Sequence, residues 1–342
     1  MEEIRTFNFI NSIKGGCGKT TFSLLLSDYL SSINIIKGKP EKRQKNSEKC
    51  LILDMDLQGT AMQYLFKGNL QESKDIKYLN DAIRECKSPN EYITKNILTD
   101  GTVIDTIFSN PTITEKEKYR VSAQGSYSPV VKHNVFRDGL KEFLKKFEGL
   151  SQRHFIFDMP PNSDGFSDAA MECLLNEHHT IAKREDRINL FYVLGLDNSQ
   201  VKPTIDEIKN LLERRDIKEI TNIYIIFNEN IPLNVEILNN SSDMKKIEIT
   251  LKKICDIKMF EMCRELDCLG KEKHKIHFGV VGKKEVYANW CFTGEGLCSW
   301  DSPKDLFSVI PISLFAEYQD KEFEKVKDKE DNDKFRNSLF GL

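Results

Sequence analysis

Two rhythms of apolar positions run along this chain. Residues 6–12 (TFNFINS) alternate polar and apolar side chains around Phe7, Phe9 and Ile10, the period of a strand. Residues 21–32 (TFSLLLSDYLSS) cluster Phe22, Leu24, Leu25, Leu26, Tyr29 and Leu30, which predicts a buried helix. Apolar runs at 50–53, 155–157, 188–196 and 222–230 predict further strands, as does FSVIPIS at 307–313. Residues 79–86, 135–147 and 204–215 read as helices, 119–124 as a strand and 108–118 as a loop. Strands alternating with helices predict an α/β fold: a doubly wound, mostly parallel sheet flanked by helices, in one domain over 1–342.

The connection between the first strand and the first helix is KGGCGKTT (14–21). Glycines let the backbone curl so that successive N–H groups face one anion, and the helix N-terminus adds its positive end. Lys19 would reach the β/γ-phosphates of a nucleotide, the Thr20 hydroxyl would ligate Mg²⁺, and Thr21 is placed to touch the α-phosphate. Gly15, Gly16, Cys17 and Gly18 would supply backbone donors. Cys17 stands at the free position of the loop and reads as a small filler; a thiol of lowered pKa at a helix N-terminus is the alternative. The ordinary pattern G-x-x-x-x-G-K-[ST] fails, because its first glycine would fall on Ile13. The pattern that fits is K-G-G-x-G-K-[ST].

That motif resembles the deviant Walker A of the ParA/MinD class of P-loop ATPases. The resemblance explains the two lysines. Lys19 would serve its own nucleotide, while Lys14 would cross a dimer to the partner's γ-phosphate, as an arginine finger does. The likeness extends over roughly 1–32, 50–70, 135–230 and 306–328.

Two further motifs follow in order. LILDMDLQG (51–59) ends a strand in Asp54 and Asp56 and resembles the class's switch I. By that resemblance Asp56 orients the attacking water, and Asp54 holds the Mg²⁺ shell and the Thr20 hydroxyl. Gln58 and Gly59 complete the motif, with Leu57 where ParA-type members carry proline. HFIFDMPP (154–161) resembles the Walker B and switch II element. Asp158 would bind Mg²⁺ through water, Pro160 and Pro161 would stiffen the exit, and Gly165 would act as a hinge. Asn228, ending its strand, falls where the class reads adenine. Pro311 matches the proline that begins a loop flanking the base.

Composition narrows the setting. The net charge of −3 argues against a generally basic nucleic-acid binder. Mean hydropathy is −0.45, and no apolar run approaches the roughly 20 residues of a membrane span. The acidic MEEIRTF start is not a signal peptide, and nine cysteines, an odd count in a long chain, fit a reducing compartment. The expected location is cytoplasmic, with nucleoid association if DNA is bound.

Three segments stand apart. Residues 33–49 read as an inserted basic loop, solvated by its lysines. Residues 240–305 depart from the class and read as an insertion for partner binding. They include a helix at 245–266 with Lys245, Lys246, Lys252 and Lys253, and strand-like stretches IHFGVV and VYANW. Cys263, Cys268, Cys291 and Cys298 lack the tight spacing of a zinc ribbon. The tail 329–342 ends apolar after an acidic run, which argues against membrane anchoring.

The resemblance implies a slow, partner-stimulated ATPase that uses ATP/ADP and Mg²⁺ and forms a homodimer on binding ATP. Two outputs are consistent with it. One is plasmid or chromosome partition with a ParB-like stimulating protein and non-specific DNA, the chain starting too near its first strand to carry an operator-reading domain. The other is a MinD-like positioning scaffold acting on a protein or membrane partner without DNA.

Overall fold

A computed structural model describes residues 5–31, 33–36, 39–42, 50–56, 62–66, 76–97, 103–109, 138–161, 186–213, 220–228, 257–259, 261–262, 264–266, 268–269, 275–281 and 307–311. Strands β1 (Thr6–Asn11), β4 (Cys50–Asp54), β7 (His154–Asp158), β8 (Arg187–Leu194) and β9 (Asn222–Asn228) form where the apolar runs predict them. The sheet also takes in β5 (Thr94–Ile97), β6 (Val103–Ile107), β10 (Ile276–Val281) and β11 (Phe307–Pro311). Helices α1 (Lys19–Ser31), α2 (Met62–Leu65), α3 (Leu79–Glu85) and α4 (Asn198–Glu213) accompany them, and residues 138–144 are helical.

Among the described residues, nine strands form one sheet in the order β11-β10-β9-β8-β1-β7-β4-β6-β5. The strands from β10 through β6 run parallel; β5 and β11 are antiparallel at the two edges. The chain moves outward from β1 to β4 and β6, returns through β7, then crosses to β8 on the other side of β1. That reversal puts a crevice beside the C-terminal end of β1, where open α/β sheets bind ligands.

Both faces of the sheet are covered. On one, Phe7 stacks on Phe155 (5.1 Å between centroids) and Phe9 on Phe157 (4.8 Å), pairs fixed by the in-register pairing of β1 with β7. On the other, Ile10, Ile52, Ile156, Phe191 and Tyr224 pack with Phe22, Leu24, Leu25 and Leu26 of α1. This packing fixes where α1 begins, and so where the preceding loop lies.

The polar positions in the central strands are buried rather than facing water. Asn8 donates to Thr6 Oγ1 (2.8 Å), Asn189 to Asn8 Oδ1 (3.0 Å) and Asn222 to Asn189 Oδ1 (3.2 Å). His154 Nδ1 lies 3.1 Å from Thr6 Oγ1, and His277 Nε2 lies 2.9 Å from Asn222 Oδ1. A buried amide is costly unless bonded, so this row favours one register of five neighbouring strands over its alternatives.

Several expectations are revised. Helix α4 starts six residues before the predicted 204, with Pro203 inside it. Proline reads as a helix start, but here it sits in the second turn, and the Thr204 hydroxyl bonds back to the Gln200 carbonyl (2.8 Å). Strands β5 and β6 escape the apolar pattern because they bury polar groups: Asn96 on the Ile104 carbonyl (3.1 Å) and Asp105 on Gln152 (2.7 Å). Within 33–49, β2 (Ile33–Ile36) and β3 (Lys39–Lys42) pair as a separate antiparallel sheet. Within 240–305, β10 joins the main sheet parallel to β9. The predicted strand at 119–124, Leu57–Gly59, Gly165, Lys245–Lys253, Cys263, Cys291, Cys298 and the tail lie outside the described residues. No helix among the described residues is long and apolar enough to cross a membrane.

Candidate functional site

The site is built on the connection from β1 to α1. Gly16 and Gly18 take φ of +76° and +84°, the left-handed region that side chains rarely adopt. The loop turns back on itself there, and the Phe22 N–H then closes the first turn of α1 on the Gly18 carbonyl (2.9 Å). The loop therefore ends at a helix N-terminus, the geometry that suits an anion.

Lys19 is buried, and its Nζ donates to Ser12 Oγ (3.0 Å), while Ser12 Oγ donates to the Lys14 carbonyl (2.6 Å). Ser12 thus folds the loop over the ammonium. Asp158 ends β7, in register with Ile10 of β1 and Asp54 of β4. It is fully buried, and Ser23 Oγ of α1 donates to its Oδ1 (3.1 Å). Burial pushes its carboxyl up to about 6, against the opposing effects of Lys19 and of hydrogen bonds from Thr20 and Ser23; nearby Asp56 adds to the rise. Asp54 is buried at the end of β4 and receives the Asp56 N–H (3.3 Å) and the Ser109 N–H (3.4 Å).

The Asn228 side chain, at the end of β9, donates from Nδ2 to the Cys17 carbonyl (3.1 Å). It lies under the loop so closely that a Cβ on Gly18 would stand 2.3 Å from Nδ2. Gly18→Ala is therefore expected to displace Asn228 and strain the backbone together. The expected cost is about 2 kcal/mol of stability, with loss of nucleotide affinity. Denaturation and nucleotide titration check this; adding Asn228→Ala relieves the clash but not the φ strain. An unchanged denaturation midpoint in Gly18→Ala would contradict the geometry.

Two side chains differ from expectation. Cys17 is not at a free position: its thiol is buried, with its single proton between two acceptors, Gln200 Oε1 (3.0 Å) and the Lys14 carbonyl (3.1 Å). Burial raises its pKa, so the helix terminus does not make it a reactive thiolate. Pro311 lies at the wrong end of the sheet for a base-flanking role. β11 runs antiparallel to β10, so Pro311 pairs with His277, whereas Asn228 pairs with Val281 at the opposite end of β10.

Lys14 lies at the rim. Its ammonium bonds Ser199 Oγ in the first turn of α4 and stands 3.6 Å from Asp197 Oδ2 in the turn that precedes it. Asp197 also receives the Ser199 N–H (2.9 Å) and hydroxyl (2.7 Å), which hold its carboxyl below the usual range, with Lys14 adding to the effect. Lys14 and Asp197 are about half exposed, 48% and 58%, so the pair is weak and readily exchanged. The sequence reading missed Ser12, Ser23, Asp197, Ser199 and Gln200. An Asp-x-Ser opening a helix is a capping signal, hidden here by placing the helix start after Pro203.

The donor set fits Mg²⁺. Thr20 and Asp158 offer hard oxygens, and the raised pKa of Asp158 marks a buried carboxylate short of positive charge. Among the described residues no cluster of three or more His, Cys, Asp or Glu is placed to hold a metal ion.

The fold is an α/β P-loop fold, a mostly parallel sheet with helices against both faces. It is similar to that of an AMPPNP-bound Borrelia burgdorferi B31 protein described as a plasmid partition protein. The two share 15% identity at a TM-score of 0.51, over 92% of this chain and 96% of that one. Apo McdA from Cyanothece is 16% identical with a TM-score of 0.48, over 98% of this chain and 100% of that chain. A ParA family ATPase from Chlorobium tepidum TLS is 14% identical with a TM-score of 0.47, over 86% of this chain and 90% of that chain. No protein-family model and no curated protein sequence matches the chain.

Proposed function

We propose that this chain is an ATP-binding, slowly hydrolysing switch that dimerises on ATP and serves partition by binding DNA non-specifically. The observation that carries the reading is convergence. The glycine loop, buried Lys19, Thr20 and buried Asp158 meet at the C-terminal ends of β1 and β7. In this reading the loop amides and Lys19 hold the phosphates. Thr20, Asp54 and Asp158 would hold Mg²⁺, which would supply charge to neutralise the phosphates when bound. Asp56 orients water, and Asn228, besides supporting the loop, borders the base. Lys14 exchanges its exposed contact with Asp197 for the partner's nucleotide.

Asp56→Ala is the variant for the test, because it should bind ATP and turn it over at least about 100-fold more slowly, accumulating the dimer. Binding of this variant to random duplex DNA is measured with ATP and with ADP across a salt series, and light scattering follows the dimer. ATP-dependent binding that weakens steeply with salt supports the partition role. A dimer that ignores DNA overturns it in favour of a scaffold acting on a protein partner. Adding Lys14→Ala should abolish the ATP-driven dimer; a dimer that persists removes the trans role of Lys14.

A further inference from the structure

The Cys17 residue is held at both ends of its polar surface. Its carbonyl accepts from Asn228 of β9 (3.1 Å), and its thiol donates to Gln200 of α4 (3.0 Å). Gln200 is itself fixed. Its Oε1 also accepts the Gly195 N–H (3.0 Å), its own N–H donates to the Asp197 carbonyl (3.1 Å), and its carbonyl accepts from Thr204. All three side chains, Cys17, Gln200 and Asn228, are buried. The phosphate loop is therefore tied to the first turn of α4 by a contact 183 residues apart in sequence and shielded from water.

The neighbouring contact of Lys14 with Asp197 and Ser199 joins the same two elements, but it is exposed and screened. Of the two ties, the buried one constrains the loop. The thiol has one proton for two acceptors, Gln200 Oε1 and the Lys14 carbonyl (3.1 Å), and of these only Gln200 lies outside the loop and ties it to α4, whereas a partner lost at the rim is replaced by water.

We propose that Gln200 is a positioning residue for nucleotide binding, acting through the Cys17 thiol to hold the phosphate loop in its anion-accepting curl. Lys14 can then leave Asp197 while residues 16–18 stay in place, so the loop does not have to reform when Lys14 moves. This rests on the ATP-binding reading above.

The test is a double-mutant cycle read by titration of a fluorescent ATP analogue with Mg²⁺. Gln200→Met keeps the volume and removes the acceptor; Cys17→Ala removes the donor. Each single change should weaken binding about fivefold or more, and the double variant should bind no more weakly than Gln200→Met alone. Cys17→Ser, which retains a donor, should fall nearer the wild type than Cys17→Ala does. Thermal denaturation accompanies each titration, because a structural role alone would lower the melting temperature without this pattern in affinity. Unchanged affinity in Gln200→Met, or losses that multiply in the double variant, overturns the positioning role while the ATP-binding reading stands. A wild-type protein that does not bind the analogue overturns both.

Discussion

Lys19→Ala is expected to remove nucleotide binding, with affinity falling at least about 100-fold. The magnitude follows from the site. The ammonium is buried, held by Ser12, and close enough to Asp158 to act on its carboxyl. A charged donor in such a place contributes about 2 to 4 kcal/mol to holding a phosphate, and no neighbour can replace it. Lys14 is the other cation of the loop, but its ammonium lies out on Ser199 and Asp197. The same change has a second consequence. Lys19 is the leading influence that opposes the rise in the Asp158 pKa, so its removal should push that carboxyl further upward. Equilibrium titration with a labelled nucleotide checks the first effect. Affinity retained within a few-fold would remove the phosphate-loop assignment.

Asp158→Asn should stabilise the nucleotide-free, Mg²⁺-free protein at pH 7 while weakening Mg²⁺-dependent nucleotide binding at least about 100-fold. The folded-state pKa is about 6, raised from 3.8. Between those values the folded chain keeps a proton that the unfolded chain has lost, so stability falls as pH rises. The contribution is fully present below about 4 and gone above about 6. At pH 7 the buried, ionised carboxylate costs about 3 kcal/mol on this scale. Asparagine keeps an acceptor for Ser23 and carries no charge, so most of that cost disappears, and stability becomes flatter between pH 4 and 6. Chemical denaturation at pH 5 and pH 7 reads this directly. A variant no more stable than wild type at pH 7, or one that binds the Mg²⁺ complex equally well, would contradict the role given to Asp158.

Stability sacrificed at one carboxylate is what a binding site requires. Asp158 is unfavourable when ionised because it is buried and only partly compensated by Lys19, Thr20 and Ser23, and in the proposed reading a bound cation would offset that cost. Asp54, one strand away and in register, is bonded instead to backbone N–H groups of residues 56 and 109.

The parts legible from sequence are those set by neighbouring residues. Glycine at positions 16 and 18 announces positive φ, and an apolar run ending in aspartate announces a buried strand reaching the edge of a sheet. The loop, Lys19, Thr20 and Asp158 could be placed because α1 and β7 are strongly apolar on the faces that pack together. Strands β5 and β6 were not legible, because Asn96 and Asp105 are buried with partners from other strands and loops.

Other features depended on which distant segments meet. The thiol of Cys17 is a filler in the local pattern and a bonded group once α4 packs beside the loop. Asn228 stands at a strand end in either view, but its hold on the Cys17 carbonyl exists only because β9 lies two strands from β1. The position of Pro311 turned on the direction of β11, which five residues do not encode. The sequence by itself determined the chemical groups and their local conformations, since backbone dihedrals and apolar periodicity act over a few residues. The tertiary structure decided which of those groups lose water and share hydrogen bonds, because burial and partnership belong to pairs of residues far apart in the chain.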